Sequence, residues 1–169
     1  MRPAARLSRL LAPALGALLL AGCAVPASAP APVGDLVREA RWFMDAYAAD
    51  IRAGNREALA DRYDRRGAYF LGNGTKELVP WETIREDYLA EWSPPADFDW
   101  QDLSFEPIPP DAVAVAGRFH WCEPEGVRQL SYTALLVRQE GKLRIRLEDE
   151  SEAVVPLPDK PCRATLARR

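Results

Sequence analysis

The sequence predicts an α+β domain in which three N-terminal helices pack on one side of a curved antiparallel sheet. Two observations carry this. Apolar residues first recur at spacings of three and four, the helical period, and from Phe98 onward they alternate, the strand period. The two patterns are also segregated along the chain rather than interleaved, as expected when helices cover one face of a meander.

Taken in order, Asp35 is placed to cap a helix running to about Ala53. Leu36, Ala40, Phe43, Tyr47 and Ile51 form its apolar stripe, while Arg38, Arg41, Asp45 and Arg52 face away. Gly54 ends it, and Asn55 caps a short second helix reaching about Tyr63, with Leu59 and Tyr63 inward. Residues 68–71 read as a short strand and Gly72-Asn73-Gly74 as a turn. Pro80 opens a third helix, where Trp81, Ile84, Tyr88 and Trp92 repeat the helical spacing until Ser93-Pro94-Pro95 stops it. Four strands follow, over 98–105, 112–122, 127–137 and 143–151, with turns at 107–111 and at Glu140-Gly141. In the second of these, Val113, Val115, Phe119 and Trp121 share one face; Ala112, Ala114, Ala116, Arg118, His120 and Cys122 share the other. In the last, Leu143, Ile145, Leu147 and Asp149 oppose Arg144, Arg146, Glu148 and Glu150.

The N-terminal segment reads differently. Arg2, Arg6 and Arg9 precede an apolar run over 10–20, too short to span a bilayer, which takes about 20 residues. Positive charge followed by a short apolar run describes a signal peptide. The run ends in Leu20-Ala21-Gly22-Cys23, which resembles the lipobox of bacterial lipoproteins. That resemblance implies cleavage before Cys23, lipidation of its thiol and, with Ala24 rather than Asp following, residence at the periplasmic face of the outer membrane. The expected organisation is a signal peptide over 1–22, a lipidated Cys23 with a Pro/Ala tether over 23–34, a domain over 35–152 and a Pro-rich tail over 153–169. The expected membrane partner is the bilayer, reached through acyl chains that each contribute about 0.8 kcal/mol per buried methylene.

Composition narrows the function classes. Of 169 residues, 48% are hydrophobic and 28% charged, as in a globular domain. Loss of the leader removes three arginines and no acid, leaving 19 basic against 25 acidic residues, a net of −6. A mildly acidic domain without a Lys/Arg cluster is not a nucleic-acid binder. Cys122 and Cys162, an even pair in an oxidising compartment, are expected to form a disulfide holding the tail to the sheet. Two cysteines and one histidine, widely spaced, match no metal-ligand pattern, and no Gly-rich phosphate loop is present, so neither metal nor cofactor is expected.

Over about 35–151 the chain resembles the nuclear transport factor 2-like superfamily, in its SnoaL-like and ketosteroid-isomerase-like branch. The resemblance rests on Ala-Ala-Asp-Ile-Arg-Ala-Gly-Asn at 48–55, on Glu57-Ala58-Leu59-Ala60 leading to Tyr63-Asp64, and on Trp81-Glu82-Thr83-Ile84-Arg85. The strand Tyr132-Thr133-Ala134-Leu135-Leu136-Val137, then Gly141-Lys142-Leu143-Arg144-Ile145 and Glu148-Asp149-Glu150-Ser151, complete it. It implies a cone-shaped fold with a pocket between the helices and the concave sheet face, and a convex face that pairs in homodimers. The chain departs from the family in having Leu143 where many relatives have Trp, and no His near Asp149.

Enzymatic relatives move or remove a proton beside a carbonyl, which needs a carboxylate in an apolar cavity and a donor for the enolate. Asp149 is the expected carboxylate, because its strand face is otherwise Leu143, Ile145 and Leu147. Tyr47 and Tyr132 are candidate donors, Asp50 a candidate at the cavity mouth, and Trp81 and Tyr88 candidate pocket residues. His120 is expected at the outer surface. The favoured function is a lipid-anchored domain binding a small apolar molecule or an envelope protein. The alternatives are an isomerase or cyclase using Asp149, and a homodimeric assembly module built on the Ala112, Ala114 and Ala116 face.

Overall fold

The computed structural model describes residues 33–124 and 126–152. Cys23 and Cys162, with the tail over 153–169, lie outside the described residues. Helix α1 (Val33–Ala53) begins two residues before Asp35, which sits in the first turn, where a carboxylate suits the helix dipole, and accepts from Arg38. Helix α2 (Arg56–Ala60) is shorter than its pattern, and Tyr63 beyond it bridges to Ile145. Strand β1 (Ala68–Phe70), a 3₁₀ turn (Gly72–Gly74) and β2 (Glu77–Val79) precede α3 (Trp81–Ala90), which Pro80 caps. The four long strands are β3 (Asp97–Ile108), β4 (Ala112–Glu123), β5 (Gly126–Gln139) and β6 (Lys142–Glu152).

The six strands form one sheet in the order β2-β1-β6-β5-β4-β3. The meander β3 to β6 is antiparallel throughout, but β1 joins β6 in parallel, with Tyr69 opposite Leu147 and Phe70 opposite Glu148. Strand β2 and the parallel pairing are not foreseen by the sequence reading: the segment over 77–79 is three residues long, too short to show alternation. Two irregularities bend the sheet. In β3 the register shifts between Gln101 and Ser104, where Asp102 takes a left-handed φ of 43° and pairs with Arg118. Opposite it, Gly117 makes the space: a Cβ there would lie 2.7 Å from Leu103 Cδ2.

The second irregularity is in β6. Leu135 pairs with Leu147 but Leu136 with Ile145, so Arg146 is an extra residue. A bulge of this kind reverses alternation beyond it. Leu143 and Ile145 face the helices, and so do Glu148 and Glu150, while Leu147 and Asp149 face outward. Arg146 fixes the bulge by donating to Gly67 O at 2.6 Å, next to the start of β1.

Helix α1 lies across the concave face. Leu36, Ala40, Met44, Tyr47 and Ile51 are buried there against Phe98, Val113, Val115, Phe119, Tyr132 and Leu136. The Trp100 indole donates to Met44 O at 2.9 Å and Arg52 to Phe98 O at 2.9 Å, fixing the helix over β3. On the convex face Ala112 and Ala114 are half-buried and Ala116 is exposed. His120 lies on that face, as alternation requires, but is 3% exposed rather than a surface residue. Cys122 is buried beside it on the same face.

Candidate functional site

Between the helices and the concave face lies a chamber of about 360 Å³, with Glu148 on its wall. Strand β6 delivers this residue through the bulge, and burial leaves it 3% exposed. An isolated buried carboxylate is costly, so its hydrogen bonds decide whether the arrangement is tenable. Three phenols supply them. Tyr63 donates to Glu148 Oε2 at 2.6 Å, Tyr132 donates to Oε1 at 2.8 Å, and Tyr47 donates to Oε1 at 3.5 Å. Each comes from a different element: Tyr47 from α1, Tyr63 from the segment after α2, Tyr132 from β5. Tyr88, from α3, completes the cluster, its hydroxyl 3.0 Å from that of Tyr63 and 3.5 Å from that of Tyr47. Since the single Tyr63 proton goes to Glu148, Tyr63 accepts from Tyr88.

The electrostatics follow from burial. Desolvation pushes the Glu148 carboxyl above the ordinary glutamate range, against the pull of the Tyr63, Tyr132 and Tyr47 hydrogen bonds. Burial, and then the Glu148 charge, raise Tyr47, Tyr63, Tyr88 and Tyr132 well above the usual phenol value, so all four stay neutral. Glu150, two residues on and on the same strand face, also lines the chamber and is an exposed residue. Enclosure by protein pushes it up to about 8, with the Glu148 charge adding to the effect and Arg128 opposing it.

The rest of the chamber is mostly apolar: Ile51, Phe70, Trp92 and Trp121, with Gly72 and Thr75 at the 3₁₀ turn. Trp92 meets Trp121 edge-on at 6.3 Å and Tyr88 at 5.6 Å. A second, more open compartment of about 480 Å³ adjoins it, lined by Glu77, Val79, Ile84, Asp87 and Glu91. Tyr63, Phe70, Tyr88 and Trp92 are common to both.

Of the residues expected at the site, the structure brings Tyr47, Tyr88 and Tyr132 together around one carboxylate. It corrects three others. Asp149 is on the convex face, opposite Thr133, where Ser151 donates to it at 2.8 Å; the bulge at Arg146 turns it away from the chamber. Asp50 lines neither compartment: it is paired with Arg62, and Asn55 also donates to it at 3.2 Å. Trp81 clamps α3 to α2, its indole donating to Ala60 O at 3.1 Å while Arg65 stacks 3.7 Å over its ring, and it lines neither compartment. Glu148, Glu150 and Tyr63 are the functional candidates that sequence reasoning placed elsewhere or left unassigned. No local signal marks the first two, because the alternation of Leu143, Ile145 and Leu147 runs straight through the bulge and the following Glu-Asp-Glu is acidic on both faces.

No protein-family model and no curated protein sequence matches the chain. Solved structures do match its shape. One is an NTF-2-like protein of unknown function from Shewanella oneidensis, 13% identical with a TM-score of 0.62, the match covering 69% of this chain and 98% of that one. Another is a putative ketosteroid isomerase from Parabacteroides distasonis, 13% identical with a TM-score of 0.57, over 68% of this chain and 86% of that one. A third is a cystatin-like fold protein from Burkholderia xenovorans, 14% identical with a TM-score of 0.60, over 72% and 95%. At these identities the likeness is one of fold, and the fold of this chain is NTF-2-like: helices over a curved, unclosed sheet.

Proposed function

We propose that this protein is held at the cell envelope by a lipidated Cys23 and takes a small, largely apolar molecule into the chamber above Glu148. The observation that carries the reading is the chamber itself: about 360 Å³, within the range of small-molecule sites, walled by aromatic rings and supplied with one hydrogen-bonded polar cluster. Fully buried polar groups of this kind fix the orientation of a ligand whose body the rings enclose. The anchor is supported by the arginines, the short apolar run and Leu20-Ala21-Gly22-Cys23. The test is binding of N-phenyl-1-naphthylamine, an apolar dye that fluoresces on leaving water, to protein carrying Cys23→Ser. Saturable enhancement, lost in Ile51→Trp, which fills the chamber, is the expected result. Enhancement unchanged by that substitution refutes the reading.

A second reading is favoured by one observation, the upward shift of a carboxyl beside neutral phenols. A proton-transfer enzyme of the isomerase type would use Glu148 as general base. Glu148→Gln separates the two readings: an enzyme loses turnover of its substrate by at least about 100-fold, whereas a binding protein has no turnover to lose.

A further inference from the structure

Resting on the binding reading, we infer that the natural ligand is an organic cation: a protonated or quaternary amine joined to an apolar body. The first observation is the sign of the charges. Among the described residues, the chamber wall carries Glu148 and Glu150, and the adjoining compartment carries Glu77, Asp87 and Glu91; neither is lined by Lys, Arg or His. The second is a contrast with other acids of the fold, several of which are paired with arginines, as are Asp50 with Arg62, Asp64 with Arg66 and Glu39 with Arg138. Arg128, whose charge is felt by Glu150, pairs with Glu152 instead and lines neither compartment.

The third observation separates the two chamber carboxyls. Glu148 is satisfied by phenols, whereas among the described residues no side chain donates a hydrogen bond to Glu150. Glu150 is therefore free to take an ammonium N–H or to face a quaternary nitrogen. The fourth is the aromatic lining. Tyr88, Trp92 and Trp121 line the same chamber, and a desolvated cation gains most from aromatic faces. A carboxylate and several aromatic rings around one cavity form the arrangement that recognises ammonium groups. A metal ion is the poorer fit: no group of three or more ligating side chains occurs among the described residues, and hard divalent cations take six or more oxygen ligands.

Three probes of one shape test this by calorimetry on the Cys23→Ser protein: 2-naphthylmethylamine, which is a cation at neutral pH, 2-naphthylmethanol and 2-naphthoate. The expected order is amine over alcohol by about tenfold or more, with the carboxylate weakest. Glu150→Gln is expected to bring the amine-to-alcohol ratio down to about threefold or less. Equal binding of amine and alcohol, or preference for the carboxylate, overturns the cation assignment and leaves the binding reading standing. Binding of none of the three, together with failure of the dye to bind, overturns both.

Discussion

Replacing Glu148 with glutamine tests whether burial or the phenols dominate its charge. An unfolded glutamate titrates near 4.3, while the native group is pushed upward. Between these values the native state holds a proton that the unfolded state has lost, so stability falls as pH rises. The loss is about 1.4 kcal/mol per pH unit wherever the native group holds the proton and the unfolded one does not. Glutamine has no proton to lose and escapes this slope. At any one pH the substitution also weakens the Tyr63 and Tyr132 hydrogen bonds, by about 1–3 kcal/mol. The diagnostic quantity is therefore the change with pH, not the offset. Urea unfolding followed by tryptophan fluorescence is suited to it, since Trp100 packs 4.7 Å from the Tyr132 ring. The stability of Glu148→Gln relative to wild type should climb as pH rises above 5, by at most about 1.4 kcal/mol per unit, equivalent to roughly 5 °C in relative Tm per unit for a domain of this size. A difference that stays flat refutes the burial argument. A difference flat from pH 5 to 7 that falls with rising pH below about 5 shows that the three phenols hold the carboxyl below its unfolded value.

Other outcomes follow from particular residues. Because enclosure pushes Glu150 up to about 8, cation affinity should rise by up to about tenfold per unit from pH 6 towards 8 and then level off; calorimetry in buffers of different ionisation heat should register proton release at pH 7. Gly67 has a φ of 91° and a Cβ there would stand 2.4 Å from Val79 O, so Gly67→Ala should destabilise by about 3 kcal/mol and free β2 from β1, visible as a lower urea midpoint and faster amide exchange over 77–79. Cys122, buried on β4, is expected to pair with Cys162; peptide mapping without reductant should recover the two joined, and alkylation of both in the native protein refutes it.

The helices and the long strands were legible because each carries its period over ten or more residues, as in Leu36 to Ile51 and Ala112 to Cys122. The tyrosines were legible for the same reason: Tyr47 and Tyr88 lie in apolar helical stripes and Tyr132 on the inner face of β5. The carboxylate was not. Periodicity assigns faces only while pairing is regular, and one extra residue at Arg146 exchanges Glu148 for Asp149 without any trace in the alternation. What imposes the exchange is distant in sequence: β1 lies parallel to β6, and the Gly67 carbonyl holds the Arg146 guanidinium. Trp81 failed for a related reason. Its place in the helical stripe fixes that it is covered, but whether by a chamber or by α2 and Arg65 depends on the tertiary arrangement.

Tyr88 stands between the inner chamber and the outer compartment, and its ring belongs to the wall of each. Its hydroxyl lies 3.0 Å from that of Tyr63 and 3.5 Å from that of Tyr47, and the Trp92 ring packs 5.6 Å away. Under the proposed binding function, the partition a guest meets is built of four side chains, Tyr63, Phe70, Tyr88 and Trp92, and not of main chain, so a guest long enough to occupy both rooms would have to part those rings and give up phenol contacts of Tyr88.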